Sequence, residues 1–349
     1  MKRKFRTFAS GLAVAALAAA GIALGAGSSE AKEWKFAIEE IDGSVQDKYA
    51  QEFKRLIEEK SGGDITVTVY PYGTLGTSAD LTELVTQGAI QFANASPGHL
   101  GTLVPEIQVF SIPYLLSQNN EANKKVLTEG DTIYKELQDD FNAKGLKLLT
   151  MYPEGEMVWT TNRPIRKPED FNNFKMRVMV SPLLVKAYEA FGAEPTPMPY
   201  GEVYGGLQLK QIDGQVNPIF AIQEMKFYEV TDYMIWAGQQ QFTTTVVTNS
   251  DWYAADLSDE ERMMVDETVA ELADYIFRVQ EEFNEKRLEM IKEAKPDMKM
   301  IRLSEEERAA FRKRADQVRE KFVEMVGPEG KEILQSLEQE IKQAEKEVM

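Results

Sequence analysis

Apolar and polar residues follow two periods along this chain, one typical of strands and the other typical of helices. Short segments alternate or are continuously apolar, which indicates strands, whereas longer segments keep their apolar residues on one helical face. Strands that alternate with helices predict mostly parallel sheets flanked by helices. In the first half, strands are predicted at 34–39, 65–69, 89–95 and 146–152, and helices at 44–60, 81–85 and 132–144.

The alternation begins again after Gly155, and two successive α/β units predict two lobes with a cleft between them. A strand at 243–248 is expected to cross back to the first lobe. The charged C-terminal third fits a coiled coil or helices that pack on the lobes, and the break at 328–330 favours the second interpretation. Strands are predicted at 158–161, 175–178 and 214–219, and helices after Pro182 and at 200–210, 259–293, 304–325 and 329–348.

The predicted strand at 175–178 carries the most informative residue of the chain. Met176 and Val178 share one face of this strand, and Arg177 points to the other. Ser181 and Pro182 then have the sequence of a helix N-cap and first helical position. Because open α/β sheets bind ligands at the carboxyl ends of their strands, Arg177 is a candidate for gripping a carboxylate or another oxyanion. The alternative is a structural ion pair between strands.

The N-terminus has the pattern of a secretory signal peptide. Four basic residues precede an alanine-rich apolar run at about 12–26, which is shorter than the roughly 20 residues of a membrane span. Cleavage is predicted after Ala31, with Ala26 as a second choice, so that residues 1–31 are the signal peptide. The alternative is an N-terminal anchor helix. The mature chain would keep 36 basic and 56 acidic residues, a net charge of −20, which opposes binding to nucleic acid and to anionic membranes.

The composition excludes several kinds of chemistry. The absence of cysteine excludes disulfides, thiolate nucleophiles and zinc–thiolate sites, and the single histidine, His99, cannot form a multi-histidine metal site. The G-x-S-x-G, G-x-x-x-x-G-K-[ST] and G-x-G-x-x-G motifs are absent. We therefore expect no cofactor, no metal and no enzyme activity, and we interpret His99 as a loop residue without a role. Carboxylates are too numerous for a glycosidase-type pair to be recognised by counting.

A series of short motifs, in order along the mature chain, resembles the substrate-binding subunits of tripartite ATP-independent periplasmic (TRAP) transporters. A single motif is weak evidence for a family, but together the motifs are highly specific and cover nearly all of the mature chain. They read GGDI at 62–65, PYGTLG at 71–76, VFSIPY at 109–114, PEDF at 168–171, KMRV at 175–178, GAEPTPM at 192–198, GEVY at 201–204 and DGQVNP at 213–218.

The resemblance implies a two-lobe α/β periplasmic binding protein with a long helix that spans both lobes. Lobe I would comprise residues 32–153 and about 243–282. Lobe II would comprise residues 154–242 and about 283–336, and residues 337–349 would form the end of a C-terminal helix. A solute would bind in the cleft and close the lobes, and small and large integral-membrane subunits would then receive it.

The resemblance also implies roles for single residues. Arg177 would form a salt bridge with the acid group of the ligand, and Asn217 would donate a hydrogen bond to it. Tyr200 would line the pocket, and Glu39 or Glu40 would add a polar group after the first strand. Met157 stands where many relatives that bind larger acids carry a second arginine, and Trp159 lies two residues further on. The two tryptophans Trp159 and Trp236 are either core residues or pocket walls.

The loss of a second arginine favours a small ligand with one acid group. We expect a short hydroxy or keto acid or a short sulfonate such as isethionate, with a C4-dicarboxylate as the alternative. Transport of sugars is disfavoured. The function predicted from the sequence is a periplasmic solute receptor of a TRAP transporter, without direct membrane insertion or nucleic-acid binding. A secreted carboxylate-pair hydrolase and a periplasmic sensor domain are the alternatives from other classes.

Overall fold

The computed structural model of the protein describes residues 31–348. The predicted signal peptide therefore lies outside the described residues, apart from Ala31. Within the described range, no helix combines the length and apolar character that crossing a membrane requires. Residues 31–348 contain eleven strands: β1 (Lys32–Ala37), β2 (Ile65–Tyr70), β3 (Phe92–Ala95), β4 (Leu146–Glu156), β5 (Val158–Thr161), β6 (Lys175–Val178), β7 (Glu194–Pro197), β8 (Gly214–Asn217), β9 (Tyr233–Trp236), β10 (Gln241–Asn249) and β11 (Lys299–Arg302).

These strands form two sheets, as a two-lobe α/β fold requires. The first sheet has the order β2-β1-β3-β10-β4, and the second has the order β11-β9-β5-β8-β6-β7. Both sheets are mixed: β1 pairs in parallel with β2 and β3, whereas β10 runs antiparallel to β3 and β4. Strand β10 thus returns the chain from the second sheet to the first, as its alternating pattern predicts.

Helices cover the sheets and make up the C-terminal third. The α-helices are α1 (Val45–Lys60), α2 (Ser78–Thr86), α3 (Pro97–Leu100), α4 (Asn120–Glu129), α5 (Leu137–Ala143), α6 (Pro182–Phe191), α7 (Val203–Gln208), α8 (Ile219–Glu224), α9 (Asp259–Ala294), α10 (Glu305–Val326) and α11 (Pro328–Glu347). Shorter 3₁₀ segments occur at Pro105–Ser111, Pro168–Phe171, Tyr200–Glu202 and Phe227–Val230, and π-helical turns at Thr132–Glu136 and Trp252–Asp256.

The 36-residue helix α9 connects the two halves of the molecule. Its first turn is closed by a capping box between Ser258 and Glu261. Further along, Asn284 Nδ2 donates to the carbonyl of Glu154 on β4, and Asn284 Oδ1 accepts from the amide of Phe220 on α8. Gly155 has φ +135°, and a Cβ there would lie 2.5 Å from Asn284 Nδ2, so the close approach of helix and strand requires glycine.

Helix α10 buries an apolar stripe on the second sheet and does not form a free coiled coil. Phe311 packs edge-on against Trp159, Phe171 and Phe191, with ring centroids 5.3, 6.0 and 5.4 Å away. Helix α11 follows immediately and packs on α4 and α10. The interpretation of these charged helices as solvated faces on the lobes is consistent with this packing.

Candidate functional site

A cavity lies between the two sheets. Most of the side chains around it are buried, so little of the cavity faces solvent. The cavity is lined by Glu39, Glu40, Gln46, Ser78, Ser96, His99, Arg177, Met179, Tyr200, Asn217 and Phe242.

The lining residues come from the carboxyl ends of strands in both sheets. Glu39 and Glu40 follow β1, Ser96 follows β3, and Asn217 is the last residue of β8. Parallel strands bring such residues to one edge of a sheet, where α/β folds bind ligands. Phe242 enters the site from β10, next to a break in the register of β10 with β4.

Arg177 is held firmly but keeps one donor free. Its side chain is 1% exposed, and its Nε and Nη2 donate to the carbonyl of Met198 at 3.0 and 2.8 Å. Its Nη1 is buried and has no acceptor among the described residues. Burial lowers the pKa of Arg177 to about 10, so the guanidinium remains charged at neutral pH. A buried cation with an unused donor is a binding group for an oxyanion.

Glu39 lies in the cavity wall that β1 and β3 form, and its carboxylate is fixed by two neighbours. Oε2 accepts from the amide of Ser96 at 2.8 Å, and Oε1 lies 3.0 Å from His99 Nδ1. The side chain is 5% exposed. His99 therefore has a structural partner in the site, and the sequence-based interpretation of a loop histidine without a role is wrong.

Glu40 lies beside a second carboxyl group, that of Glu154 on β4, which is fully buried behind the cavity. Gln46 holds this region together, because its Oε1 accepts from the amide of Glu39 and its Nε2 donates to Glu154 Oε1 at 2.9 Å. Burial, and then the neighbouring carboxylate, raise the pKa of Glu40 well above its ordinary value.

Asn217 and Tyr200 complete the wall that the second sheet provides. Asn217 Nδ2 donates to Gln215 Oε1 at 2.5 Å, which fixes the orientation of the amide. The ring of Tyr200 packs edge-on against Tyr72, with centroids 5.8 Å apart. Tyr72 follows β2 of the first sheet, so the two halves of the molecule touch beside the cavity.

Five of the eight sequence-predicted site residues line the cavity and three do not. The five are Arg177, Asn217, Glu39, Glu40 and Tyr200. Trp159 is fully buried, and its Nε1 donates to Tyr188 Oη at 2.9 Å inside an aromatic cluster. Met157 is a core residue at 1% exposure, and Trp236 is buried in a second apolar cluster beneath the guanidinium of Arg302.

Six lining residues were not predicted from the sequence: Gln46, Ser78, Ser96, His99, Met179 and Phe242.

A cluster of three carboxylates with the spacing of metal ligands lies outside the cavity, where carboxylate oxygens of Glu106, Asp140 and Glu329 lie within 4.8 Å of one another. Glu106 and Asp140 are partly buried and Glu329 is exposed. The cavity itself is lined by one guanidinium, that of Arg177, and by the carboxyl groups of Glu39 and Glu40. Such an arrangement can bind a molecule that carries charges of both signs.

Comparisons with known proteins show which family the chain is similar to. The family model for bacterial extracellular solute-binding proteins, family 7, matches residues 36–325. The chain is 43% identical over 327 residues to the ectoine/5-hydroxyectoine-binding periplasmic protein UehA of Ruegeria pomeroyi, covering 93% of this chain and 96% of that protein. It is 43% identical over 314 residues to the ectoine-binding periplasmic protein TeaA of Halomonas elongata, covering 90% and 91%.

Solved structures show the same similarity. The periplasmic ectoine-binding protein of the TeaABC TRAP transporter of Halomonas elongata matches with a TM-score of 0.86 at 43% identity, over 89% of this chain and 99% of that one. A TRAP solute-binding protein from Desulfovibrio salexigens with bound orotic acid matches with a TM-score of 0.84 at 26% identity, over 89% and 99%.

Proposed function

The chain belongs to the family 7 bacterial extracellular solute-binding proteins and is a substrate-binding protein of a TRAP transporter, and from this premise we propose that its ligand is a small zwitterion of the ectoine type. Ectoine carries one carboxylate and one ring amidinium, a delocalised cation. In this proposal the carboxylate binds Arg177, and the amidinium lies between Glu39 and the ring of Phe242. The protein is not an enzyme, and its ligand leaves the site unchanged.

The observation that carries the proposal is the free Nη1 donor of Arg177 in a cavity that also holds two carboxylates. An acid group of the ligand satisfies this donor and compensates a buried cation. Glu39 and Glu40 lie in the opposite wall and give that side of the cavity a negative potential. A ligand with a carboxylate at one end and a cation at the other matches both walls.

The ligands expected from the sequence satisfy only one of these walls. A short hydroxy acid, keto acid or sulfonate such as isethionate pairs with Arg177 but leaves the carboxylate of Glu39 without a counter-charge. A C4-dicarboxylate brings a second negative charge toward the glutamates, which is unfavourable in a buried site. The expectation of a single acid group is retained in the proposal, and the cationic group is added to it.

The relatives support the same ligand class, since two proteins that are each 43% identical to this chain are named for binding ectoine. TRAP substrate-binding proteins work with a small and a large membrane subunit, and these relatives are periplasmic. We propose the same compartment and the same kind of partners for this chain. The signal peptide and its cleavage after Ala31 or Ala26 stay predictions.

Isothermal titration calorimetry on the purified secreted protein tests the ligand class. We expect ectoine and 5-hydroxyectoine to bind with a Kd of about 1 μM or below, equivalent to about −8 kcal/mol. Isethionate, lactate and succinate serve as the monoanion and dianion comparisons, and we expect their affinities to be at least about tenfold weaker, a difference of about 1.4 kcal/mol. Binding of isethionate or succinate in preference to ectoine would contradict the zwitterion proposal.

Glu39→Gln tests the cationic end of the ligand. The amide oxygen can still accept from Ser96, but the negative charge is lost, so we expect ectoine to bind about 10- to 150-fold more weakly, from the loss of about 1.5–3 kcal/mol of a charged hydrogen bond. Glu33→Gln on β1, the strand that precedes Glu39, makes the same charge change at an exposed residue, and it should leave the Kd unchanged. Equal Kd values for ectoine in Glu39→Gln and the unmodified protein would remove Glu39 from the site.

A further inference from the structure

The Glu40 and Glu154 carboxyl groups form a buried pair that the proposed ligand contacts do not explain. Glu40 lines the cavity and is 6% exposed, whereas Glu154 is fully buried one layer behind it. Gln46 contacts both groups: its backbone amide donates to Glu40 Oε2 at 3.4 Å, and its Nε2 donates to Glu154 Oε1 at 2.9 Å. Glu154 Oε1 accepts from Gln46, but Glu154 Oε2 is buried without a donor among the described residues. A hydrogen bond between two carboxyl groups requires a proton on one of them.

The surroundings favour one proton on this pair at neutral pH. Burial raises the pKa of both groups, and that of Glu154 reaches about 7. Two adjacent carboxylates without a cation between them do not ionise independently, and the proton belongs to the pair. No described Lys or Arg lies within ion-pair distance of Glu40 or Glu154.

The charged and titratable groups around the pair come from every element that faces it. Glu39 and Glu224 add negative potential, and Arg287 binds Glu224 at 2.9 Å. Arg177 is the cation on the other side of the cavity. The groups that act on the pair or on its immediate neighbours are Glu39, Asp47, Lys48, Tyr49, His99, Tyr152, Arg177, Tyr200, Glu224 and Arg287. The potential at Glu40 is therefore negative, and it becomes less negative when a cation enters the cavity.

We propose that the Glu40–Glu154 pair holds one proton in the ligand-free protein and releases it to solvent when a cationic group binds beside Glu40, so that the pair selects ligands by charge. This inference rests on the proposed zwitterionic ligand. Only an O–H bond breaks, and buffer takes up the proton. The pair then carries two negative charges, and the nearby amidinium between Glu39 and Phe242 lowers the free energy cost of the second one. An anionic ligand at the same place strengthens the hold on the proton and gains nothing from its release.

The sign of the resulting pH dependence follows from linkage. Because binding releases a proton, a higher pH favours the complex. Below the pKa of the pair, affinity increases by up to about tenfold per pH unit for one proton released, and it levels off above that pKa. An anionic ligand that contacts Glu40 gives the opposite slope. The pair therefore makes affinity for a zwitterion higher in neutral than in mildly acidic surroundings.

The test is calorimetric titration with ectoine at about pH 6, 7 and 8, in phosphate and in MOPS. These buffers differ in ionisation enthalpy, so the difference in binding heat counts the protons that binding releases. The carboxylate and amidinium of ectoine do not titrate in this range. We expect release of up to one proton and a Kd about tenfold higher at pH 6 than at pH 8. Ectoine binding with a heat independent of buffer and a Kd independent of pH overturns the inference and leaves the proposed function intact.

The Glu154→Gln variant tests whether the released proton comes from the Glu40–Glu154 pair. The amide of the new side chain donates to Glu40 and keeps that carboxylate ionised, so we expect ectoine to bind without proton release. Glu224→Gln is the matched control, because Glu224 also has a pKa of about 7 but is paired with Arg287 and lies outside the cavity lining. This control should retain proton release.

Two further outcomes decide the inference. If Glu154→Gln does not fold, Glu40→Gln removes the same pair from the other side and should also abolish proton release. Undiminished proton release in the variant that folds assigns the proton to another group and overturns the inference. Failure of ectoine to bind the unmodified protein at any pH overturns the proposed ligand and, with it, this inference.

Discussion

Replacing Arg177 with methionine is expected to weaken ectoine binding strongly while leaving the ligand-free protein folded. Truncating one partner of a buried, hydrogen-bonded charge pair costs about 2–5 kcal/mol, which corresponds to a Kd about 30- to 5,000-fold higher. Methionine is long, apolar and flexible enough to occupy the volume of the arginine stem.

The stability of the ligand-free variant is set by two opposing effects. Removing the guanidinium eliminates a desolvated cation whose Nη1 has no acceptor among the described residues, which is favourable. The carbonyl of Met198 loses the two donors that Arg177 supplies, which costs about 1–3 kcal/mol. We therefore expect a Tm close to that of the unmodified protein and a much smaller increase in Tm when ectoine is added, both measurable by thermal unfolding.

Arg163→Met is the control for this substitution. Arg163 also belongs to the second half, donates to a backbone carbonyl, that of Asn172, and lies over an aromatic ring, that of Phe174. It is exposed and does not line the cavity. Its substitution should leave the Kd for ectoine unchanged. A wild-type Kd in Arg177→Met would mean that the acid group binds elsewhere and would remove the central contact of the proposed function.

The placement of Arg177 was predictable from the sequence because it depends on local signals. Alternation in KMRV predicts the strand, and Ser181 caps the next helix by accepting from the amide of Leu184. Long helices could be predicted from the sequence equally well, since the N-cap of α9 is Ser258, which forms a capping box, and the helix runs through 36 residues. Such features are encoded within a few residues and need no knowledge of distant contacts.

The missed strands lack such local signals. Strand β7 has the sequence EPTP, and two prolines normally argue against a strand. It forms the edge of the second sheet next to β6, where the amide hydrogens missing from proline are not required for pairing with a further strand. Strands β9 and β11 each have four residues, too few for a clear period, and helix α4 went unrecognised in a polar segment.

The missed part of the site is the part built by contacts between distant segments. Gln46 sits in the first turn of α1 and was predicted only as a helical residue, yet it joins Glu39 and Glu154, which is 108 residues away. His99 becomes part of the site through Glu39, which is 60 residues away. The spacing of residues in the sequence does not indicate these two contacts, because the residues come together only when the sheets have formed.

Trp159 is a second residue whose position depends on distant contacts, because the sequence allowed both a core and a pocket position. In the structure its ring lies 5.0 Å from Phe171 and 5.3 Å from Phe311, so it joins β5 to helix α10. Its Nε1 also satisfies Tyr188 Oη. The side chain does not line the cavity. Through these contacts Trp159 stabilises the second half of the molecule.

Trp159→Ala is expected to destabilise the protein by about 3–5 kcal/mol, because it removes a large buried ring and leaves a cavity. The free energy of unfolding, measured by chemical denaturation of the ligand-free protein, checks this value.

Trp159→Phe separates the contribution of the buried ring from that of the hydrogen bond. It keeps an aromatic ring but removes the Nε1 donor, and we expect the free energy of unfolding to fall by about 1–3 kcal/mol. Since this milder variant stays folded, its Kd for ectoine should lie within about twofold of the unmodified protein, a difference of about 0.4 kcal/mol. A tenfold weaker Kd together with an unchanged free energy of unfolding would show instead that the indole forms a wall of the binding site.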